Sequence, residues 1–151
     1  MKDYFYEIDL NWTSGRTSSL HVHGLPELEV EFPLELPLTS KRKWTPEHLL
    51  ASAVSSGFMN YFLDLAEQTK LKVISYNSQS FVKLRKQNDR YVISEILIRP
   101  TIKLISDLST SQAYSLIEKA QNTYYLKEDL RINIEIHPQF EYMNRDEILK
   151  M

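Results

Sequence analysis

The stretch Trp44–Met59, WTPEHLLASAVSSGFM, decides the fold of this chain. It begins with residues in the order expected at a helix start. Thr45 can cap the first turn, Pro46 suits the first helical position, and the carboxylate of Glu47 favours the positive end of the helix dipole. Apolar residues then recur at helical spacing and predict a helix over about residues 45–69. Because apolar residues cover most of its circumference, this helix belongs at the centre of a fold or at a subunit interface.

Alternating apolar and polar residues predict strands on both sides of this helix. Before it, the alternation predicts a three-stranded antiparallel sheet within about residues 4–32. After it, we expect two long strands within about 72–104, a second helix at about 110–124 and a last strand at about 130–137. This order predicts a single α+β domain over residues 1–151, with a mainly antiparallel sheet.

Prolines and basic residues characterise the segment between the first sheet and the long helix. Pro33 and Pro37 end the sheet, because proline has no N–H to donate to a strand ladder. The stretch through Lys43 is therefore predicted to be a loop. We interpret the short basic run at residues 41–43 as a solvated part of this loop rather than a phosphate site.

The composition excludes several classes of function. The 151 residues include no cysteine, which rules out disulfides, thiolate metal sites and thiol-based redox catalysis in this chain. A formal net charge of −2 leaves no basic excess for binding a nucleic-acid backbone. The first residues lack the apolar stretch of a signal peptide, and no apolar run approaches the roughly 20 residues that span a bilayer. We therefore expect a cytoplasmic protein that contacts neither membrane nor nucleic acid.

Four short motifs give the chain a resemblance to the OsmC/Ohr family. They are the Trp-Thr-Pro-Glu opening of the long helix, the Ser-x-Phe-Met stretch at residues 56–59 within it, Ile74-Ser75-Tyr76 in the next strand and Glu118-Lys119-Ala120 in the second helix. The order of predicted elements is consistent with this family from about Tyr4 to Pro138. The resemblance implies an intertwined homodimer, in which antiparallel sheets wrap around two central helices and the active sites lie at the subunit interface.

The same resemblance identifies the positions of the family's active-site residues. In peroxidatic members a thiolate attacks the peroxide and a second cysteine resolves the product, while an arginine and a glutamate prepare the first thiolate. The resemblance places these cysteines at Gly57 and Tyr124, and the supporting charges at Arg16 and Glu47. Both sulfurs are therefore missing, while the two supporting charges are present.

We expect the former active site to bind a small apolar or acidic ligand. The predicted binding residues are Arg16, Glu47, Gly57, Phe58, Tyr61 and Tyr124. Each prediction has an alternative: Arg16 and Glu47 could form a salt bridge that only orders the first turn, and the aromatic residues could be ordinary core. At Gly57, a tyrosine such as Tyr124 could fill the space of the missing thiol, or the glycine could reflect drift after loss of function.

The sequence thus predicts a non-catalytic OsmC-like protein that binds a small molecule or takes part in an interaction, related to the stress-response hydroperoxide reductases. We expect no catalytic residue, no cofactor and no metal. The alternative is an enzyme that detoxifies peroxides or other reactive compounds by a non-thiol route. Such a route could use a metal held by His21 and His23, together with His48 or a nearby glutamate.

Overall fold

The computed structural model describes residues 1–32 and 43–151. The loop predicted between Pro33 and Lys43 lies almost entirely outside the described residues. The chain divides into two compact units, Met1–Leu50 and Ala51–Met151. The organisation as a single domain stays a prediction.

The first unit contains a three-stranded antiparallel sheet, as predicted. Its strands are β1 (Asp9–Ser14), β2 (Thr17–His21) and β3 (Leu28–Glu31), in the order β1-β2-β3. The turn between β1 and β2 includes Gly15, whose φ of +52° suits glycine. The first strand begins at Asp9 rather than near residue 4, because its partner β2 ends at the residue paired with Asp9.

The long helix α1 (Pro46–Gln68) confirms the prediction for residues 45–69. Its first turn is closed by two reciprocal hydrogen bonds. The His48 backbone N–H donates to Thr45 Oγ1 at 3.4 Å, and the Thr45 backbone N–H donates to His48 Nδ1 at 3.1 Å. Histidine thus takes the place that glutamate has in a capping box. The buried positions of α1 are Val54, Phe58, Phe62, Leu65 and Ala66.

The second unit is built on a long hairpin of β4 (Val73–Gln87) and β5 (Arg90–Leu104). These strands pair antiparallel along their whole length. Two short strands, β6 (Ile134–Ile136) and β7 (Gln139–Tyr142), then pair with β5 in parallel. The sheets are therefore mainly antiparallel, as predicted, and the parallel pairing of β6 and β7 with β5 is the exception. The chain crosses over through helices after β5, and such a crossover can return it in the same direction.

Short helices connect these strands. A 3₁₀ turn (Asp107–Ser109) leads into α2 (Thr110–Thr123), which is followed by α3 (Tyr125–Leu130) and, after β7, by α4 (Arg145–Leu149). Because α3 occupies residues 125–130, the predicted last strand is confined to Ile134–Ile136. The mixed helix and sheet content confirms the predicted α+β class.

The two faces of β5 have different environments. Every second residue from Ile96 to Leu104 is buried, together with Ala113, Leu116, Ile117 and Ala120 of α2. The alternating residues between them, such as Arg99 and Thr101, point to the opposite, outer face. In the described ranges, no helix is both long and apolar enough to cross a membrane.

Candidate functional site: an aromatic plug over Gly57

Gly57 and Tyr124 lie in contact within the second unit. Tyr124 follows the last residue of α2, where its backbone turns extended (φ −70°, ψ 115°) while its N–H still donates to the carbonyl of Ala120 at 2.9 Å. Its side chain reaches the middle of α1. A β-carbon built on Gly57 would overlap the Tyr124 hydroxyl oxygen and would lie 2.8 Å from Cζ. The phenol therefore fills the space that any side chain at residue 57 would need.

Three further aromatic rings surround Tyr124. The ring of Phe58 lies edge-on at a centroid distance of 6.4 Å, and that of Tyr125 at 5.3 Å. The ring of Tyr61 is stacked at 6.3 Å, and its hydroxyl accepts a hydrogen bond from Thr123 at 3.0 Å. These geometries are favourable for aromatic pairs. The structure therefore brings four of the predicted binding residues together, which are Gly57, Phe58, Tyr61 and Tyr124.

The Tyr124 hydroxyl has no hydrogen-bond partner among the described residues, although it is buried. Only 2% of the residue is exposed. Burial, and secondarily the neighbouring Tyr125, raise the pKa of Tyr124 to about 12, so the phenol is neutral at ordinary pH and keeps its proton. A buried hydroxyl without a partner costs about 1–3 kcal/mol. This group is thus an unsatisfied donor in the apolar interior.

A second buried phenol was not anticipated from the sequence. The hydroxyl of Tyr76 on β4 also has no partner among the described residues, and its ring lies 6.1 Å from that of Phe62. Burial raises the pKa of Tyr76 strongly. The strand pattern places this residue on the inner face, but a pattern of apolar and polar letters cannot indicate whether a hydroxyl finds a partner.

Arg16 and Glu47 belong to the first unit. The guanidinium of Arg16 lies 5.8 Å from the ring centroid of Phe32, and the Arg16 carbonyl accepts from the Phe32 N–H at 3.1 Å. One carboxylate oxygen of Glu47 is buried without a partner among the described residues. No ion pair between Arg16 and Glu47 occurs in residues 1–32 and 43–50, so the salt-bridge alternative has no support there. Their part in a ligand site stays a prediction.

A metal centre on the histidines finds no support in the part of the chain that the structure describes. Within the described residues, no group of three or more His, Cys, Asp or Glu side chains is placed to hold a metal ion. His48 uses Nδ1 as an acceptor for the Thr45 N–H, which assigns its proton to Nε2 when the ring is neutral. His21 ends β2 as an exposed residue.

The α+β fold and a site centred on a long helix define the class of protein to which this chain belongs. The family model described as "OsmC-like protein" matches residues 39–137. This match covers more than half of the chain, so the chain belongs to the OsmC-like family. No curated protein is similar enough to the sequence to count as a match.

Solved structures of the family share the fold. An OsmC-like protein of unknown function from Vibrio cholerae has a TM-score of 0.74 at 16% identity, over 89% of this chain and 99% of that one. An organic hydroperoxide resistance protein from Elizabethkingia anophelis has a TM-score of 0.69 at 22% identity, over 94% and 100%. An OsmC-like protein from Mycoplasma pneumoniae reaches 0.74 at 11% identity, over 93% and 100%. At these identities the likeness establishes the fold alone.

Proposed function

We propose that this chain is a non-catalytic OsmC-like protein that acts by binding. The observation that carries the proposal is the position of the Tyr124 phenol over Gly57. The family resemblance places the reactive thiol at residue 57, and a peroxide would have to approach this position. The chain has no cysteine to attack the O–O bond. The space beside Gly57 is moreover taken by a neutral phenol, which is a poor nucleophile.

The unsatisfied hydroxyl of Tyr124 supports a small-molecule ligand. Phe58, Tyr61 and Tyr125 offer apolar ring surface, and the Tyr124 O–H lacks an acceptor among the described residues. A small, mostly apolar molecule with one hydrogen-bond acceptor matches this chemistry. Because the phenol fills the space over Gly57, such a ligand reaches the hydroxyl only when the Tyr124 ring turns. Binding is therefore coupled to a change in the Tyr124 side chain.

A second candidate function, interaction with another chain, is favoured by the exposed apolar side chains of the first unit. Tyr6 is 97% exposed and Trp12 75%, and Tyr4, Phe5, Ile8 and Leu10 are also exposed. Six exposed apolar side chains within residues 4–12 favour an interface in this part of the chain. A second copy of the chain is the partner that the family resemblance implies, and a homodimer in the cytoplasm is the assembly that we propose.

The names of several structural neighbours suggest the biological setting. Organic hydroperoxide resistance proteins from Elizabethkingia anophelis, Legionella pneumophila and Bacillus subtilis share the fold. We extend the link with oxidative stress to this chain as part of the proposal. In that setting the chain would bind a compound that its catalytic relatives convert.

Native mass spectrometry and a peroxide assay test the proposal together. We expect a dimer that carries a dissociable adduct, and no consumption of an organic hydroperoxide by the purified chain with a dithiol reductant. The adduct should be lost in Tyr124→Phe and kept in Tyr91→Phe, which alters an exposed tyrosine of the hairpin.

Each outcome has a separate meaning. Peroxide consumption above the protein-free background would overturn the non-catalytic role. A bare dimer would remove the small-molecule ligand and leave the interaction role, while a bare monomer would overturn both forms of binding.

A further inference from the structure

The outer face of the sheet in the second unit carries a polar pocket. Its volume is about 390 Å³, and its lining residues are Asn77, Ser78, Gln79, Arg99, Thr101 and Gln139. We propose that this pocket binds a small polar molecule through an oxyanion, either a carboxylate or a phosphate ester. The site is independent of Gly57 and Tyr124 and of the function proposed for them.

The strand register explains why these side chains meet. Asn77 of β4 pairs with Thr101 of β5, and Thr101 pairs in turn with Gln139 of β7. Gln79 pairs with Arg99, one step along the same face. Paired residues on neighbouring strands, and residues two apart on one strand, point to the same side of a sheet. Two adjacent rows of hydrogen-bonding side chains therefore project from the outer face.

The pocket lies beside the break between the two short strands β6 and β7. β6 ends at Ile136 and β7 begins at Gln139, so the strand beside β5 is interrupted. The carbonyl of Ile98 accepts from the N–H of His137, which directly follows β6, and the carbonyl of Leu104 accepts from the N–H of Met143, which directly follows β7. The backbone groups of even-numbered β5 residues therefore face these two strands. Pro100 is one of these residues and has no N–H. At this level β5 thus has no N–H to donate, and the pocket lies where β6 has ended and β7 begins at Gln139.

The charge of the pocket is positive. Arg99 is the one charged residue among the six that line it. The guanidinium Cζ lies 5.2 Å from the ring centroid of Phe81, which is two residues from Gln79 on the same face. Among the described residues, Arg99 forms no ion pair, so its charge is not neutralised by a carboxylate. The aromatic contact holds one side of the guanidinium plane and leaves its N–H edge for a ligand.

The side chains that line the pocket indicate the class of ligand that it binds. A guanidinium presents a fork of donors that matches the two oxygens of a carboxylate or phosphate. Amides and hydroxyls donate or accept hydrogen bonds beside it, which suits neighbouring hydroxyl groups on the same ligand. The volume lies at the lower end of the range for small-molecule sites. A hydroxy acid or a sugar phosphate therefore fits better than an apolar molecule or a polymer.

The test is a titration of the full chain that is monitored by two-dimensional amide NMR. The probes are inorganic phosphate and D-gluconate, each added to about 10 mM against sodium chloride of equal ionic strength, which is enough to saturate a site with a Kd near 1 mM. We expect saturable shifts confined to the amides of the six lining residues with at least one probe. Saturation by phosphate alone indicates a phosphate ester, and saturation by gluconate alone indicates a hydroxy carboxylate.

Two variants that remove the same charge show whether the probe binds in the pocket. Arg99→Gln should weaken the binding by about tenfold or more, because a charge-assisted hydrogen bond is lost. Arg90→Gln removes an equal charge from an exposed position at the start of the same strand. This control should change the affinity for the probe by less than about twofold. Gln79→Ala provides a second pocket variant without a charge change and should also weaken binding. The proposal is overturned if neither probe saturates, or if Arg99→Gln and Arg90→Gln have equal effects.

Discussion

The Tyr124 hydroxyl oxygen lies where a β-carbon on residue 57 would stand, so Gly57 and Tyr124 are complementary in shape. Glycine inside a helix costs about 1 kcal/mol relative to alanine. Here the absence of a β-carbon at Gly57 leaves the space beside α1 that the Tyr124 phenol occupies. The two residues therefore have to be considered as one unit, and changes at one should depend on the identity of the other.

Gly57→Ala should destabilise the chain although alanine is the better helix former. The new methyl group overlaps the Tyr124 hydroxyl, and overpacking of this kind costs about 1–3 kcal/mol. The gain in helix propensity of about 1 kcal/mol offsets only part of this cost, so we expect a net loss of up to about 2 kcal/mol. Urea unfolding measures the change.

The same substitution should become stabilising once Tyr124 is shortened. In a Tyr124→Leu background no atom of residue 124 reaches residue 57, so Gly57→Ala should then gain about 1 kcal/mol. Ser56→Ala is the control at the neighbouring, exposed position and should shift stability by no more than about 0.5 kcal/mol in either background. Equal effects of Gly57→Ala in the two backgrounds would show that the residues are not in contact.

Tyr124→Phe should leave the ligand-free protein as stable as before, or stabilise it by up to about 1 kcal/mol. The change removes a buried hydroxyl that has no partner among the described residues. Tyr61→Phe is the matched comparison, because the Tyr61 hydroxyl accepts from Thr123, and it should cost about 0.5–1.5 kcal/mol. A loss above about 1 kcal/mol in Tyr124→Phe would mean that a partner satisfies the hydroxyl.

Much of the fold follows from local sequence signals. The Thr45-Pro46 start and the apolar spacing of α1 define its ends to within a residue. The hairpin of β4 and β5 follows from alternation around a polar turn. The parallel strands β6 and β7 could not be predicted in the same way, because the direction of a short strand depends on the path of the chain through α2 and α3.

The site was predictable in part. The resemblance identifies Gly57 and Tyr124 as the positions of the family's two cysteines. The absence of a side chain at residue 57 leaves space for a neighbouring side chain. That the phenol fills this space depends on the extended backbone of Tyr124 after α2, which is a tertiary feature. The same limit applies to the outer pocket, since Asn77, Arg99 and Gln139 meet only through the strand register.

At alkaline pH the chain should lose more stability than ionisation of its exposed tyrosines alone would cause. Burial raises the pKa of Tyr124 from 10.0 to about 12 in the folded state, so its stabilising contribution is complete below pH 10 and is lost as the pH rises toward 12. Tyr76 acts in the same direction. Thermal unfolding at pH 8 and pH 11 should show a smaller alkaline loss in Tyr124→Phe than in the wild type. The exposed-site variant Tyr91→Phe should behave as the wild type, and identical losses in all three proteins would contradict the prediction.

The C-terminal helix α4 should loosen in acid. Glu147 Oε1 accepts a hydrogen bond from Lys103 of β5 at 2.6 Å, and Glu147 also completes a capping box with Asn144. The hydrogen bond from Lys103, followed by that from the Asn144 backbone, lowers the pKa of Glu147. The contribution of this carboxylate is therefore present above its usual pKa and is lost as the pH falls through the lowered value.

Hydrogen exchange of the α4 amides tests this coupling. Exchange protection should decrease at pH 3 relative to pH 7, after correction for intrinsic rates. Glu147→Gln should reduce protection at pH 7 already, since glutamine can keep the cap but not the ion pair. Asp146→Asn, which alters the adjacent exposed carboxylate, should not. Unchanged protection in Glu147→Gln would mean that the ion pair does not hold α4.

Thr45→Ala should destabilise the chain by about 1–2 kcal/mol, because Thr45 is fully buried and its hydroxyl accepts from the His48 N–H. His48→Ala should also cost stability, since the Thr45 N–H then loses its acceptor. If the two side chains form one reciprocal cap, the double variant should lose less than the sum of the two single losses. Urea unfolding of the four proteins measures this coupling, with Glu67→Ala as the control at the exposed end of α1. Strictly additive losses would show that Thr45 and His48 act separately, and the helix start would then depend on Thr45 alone.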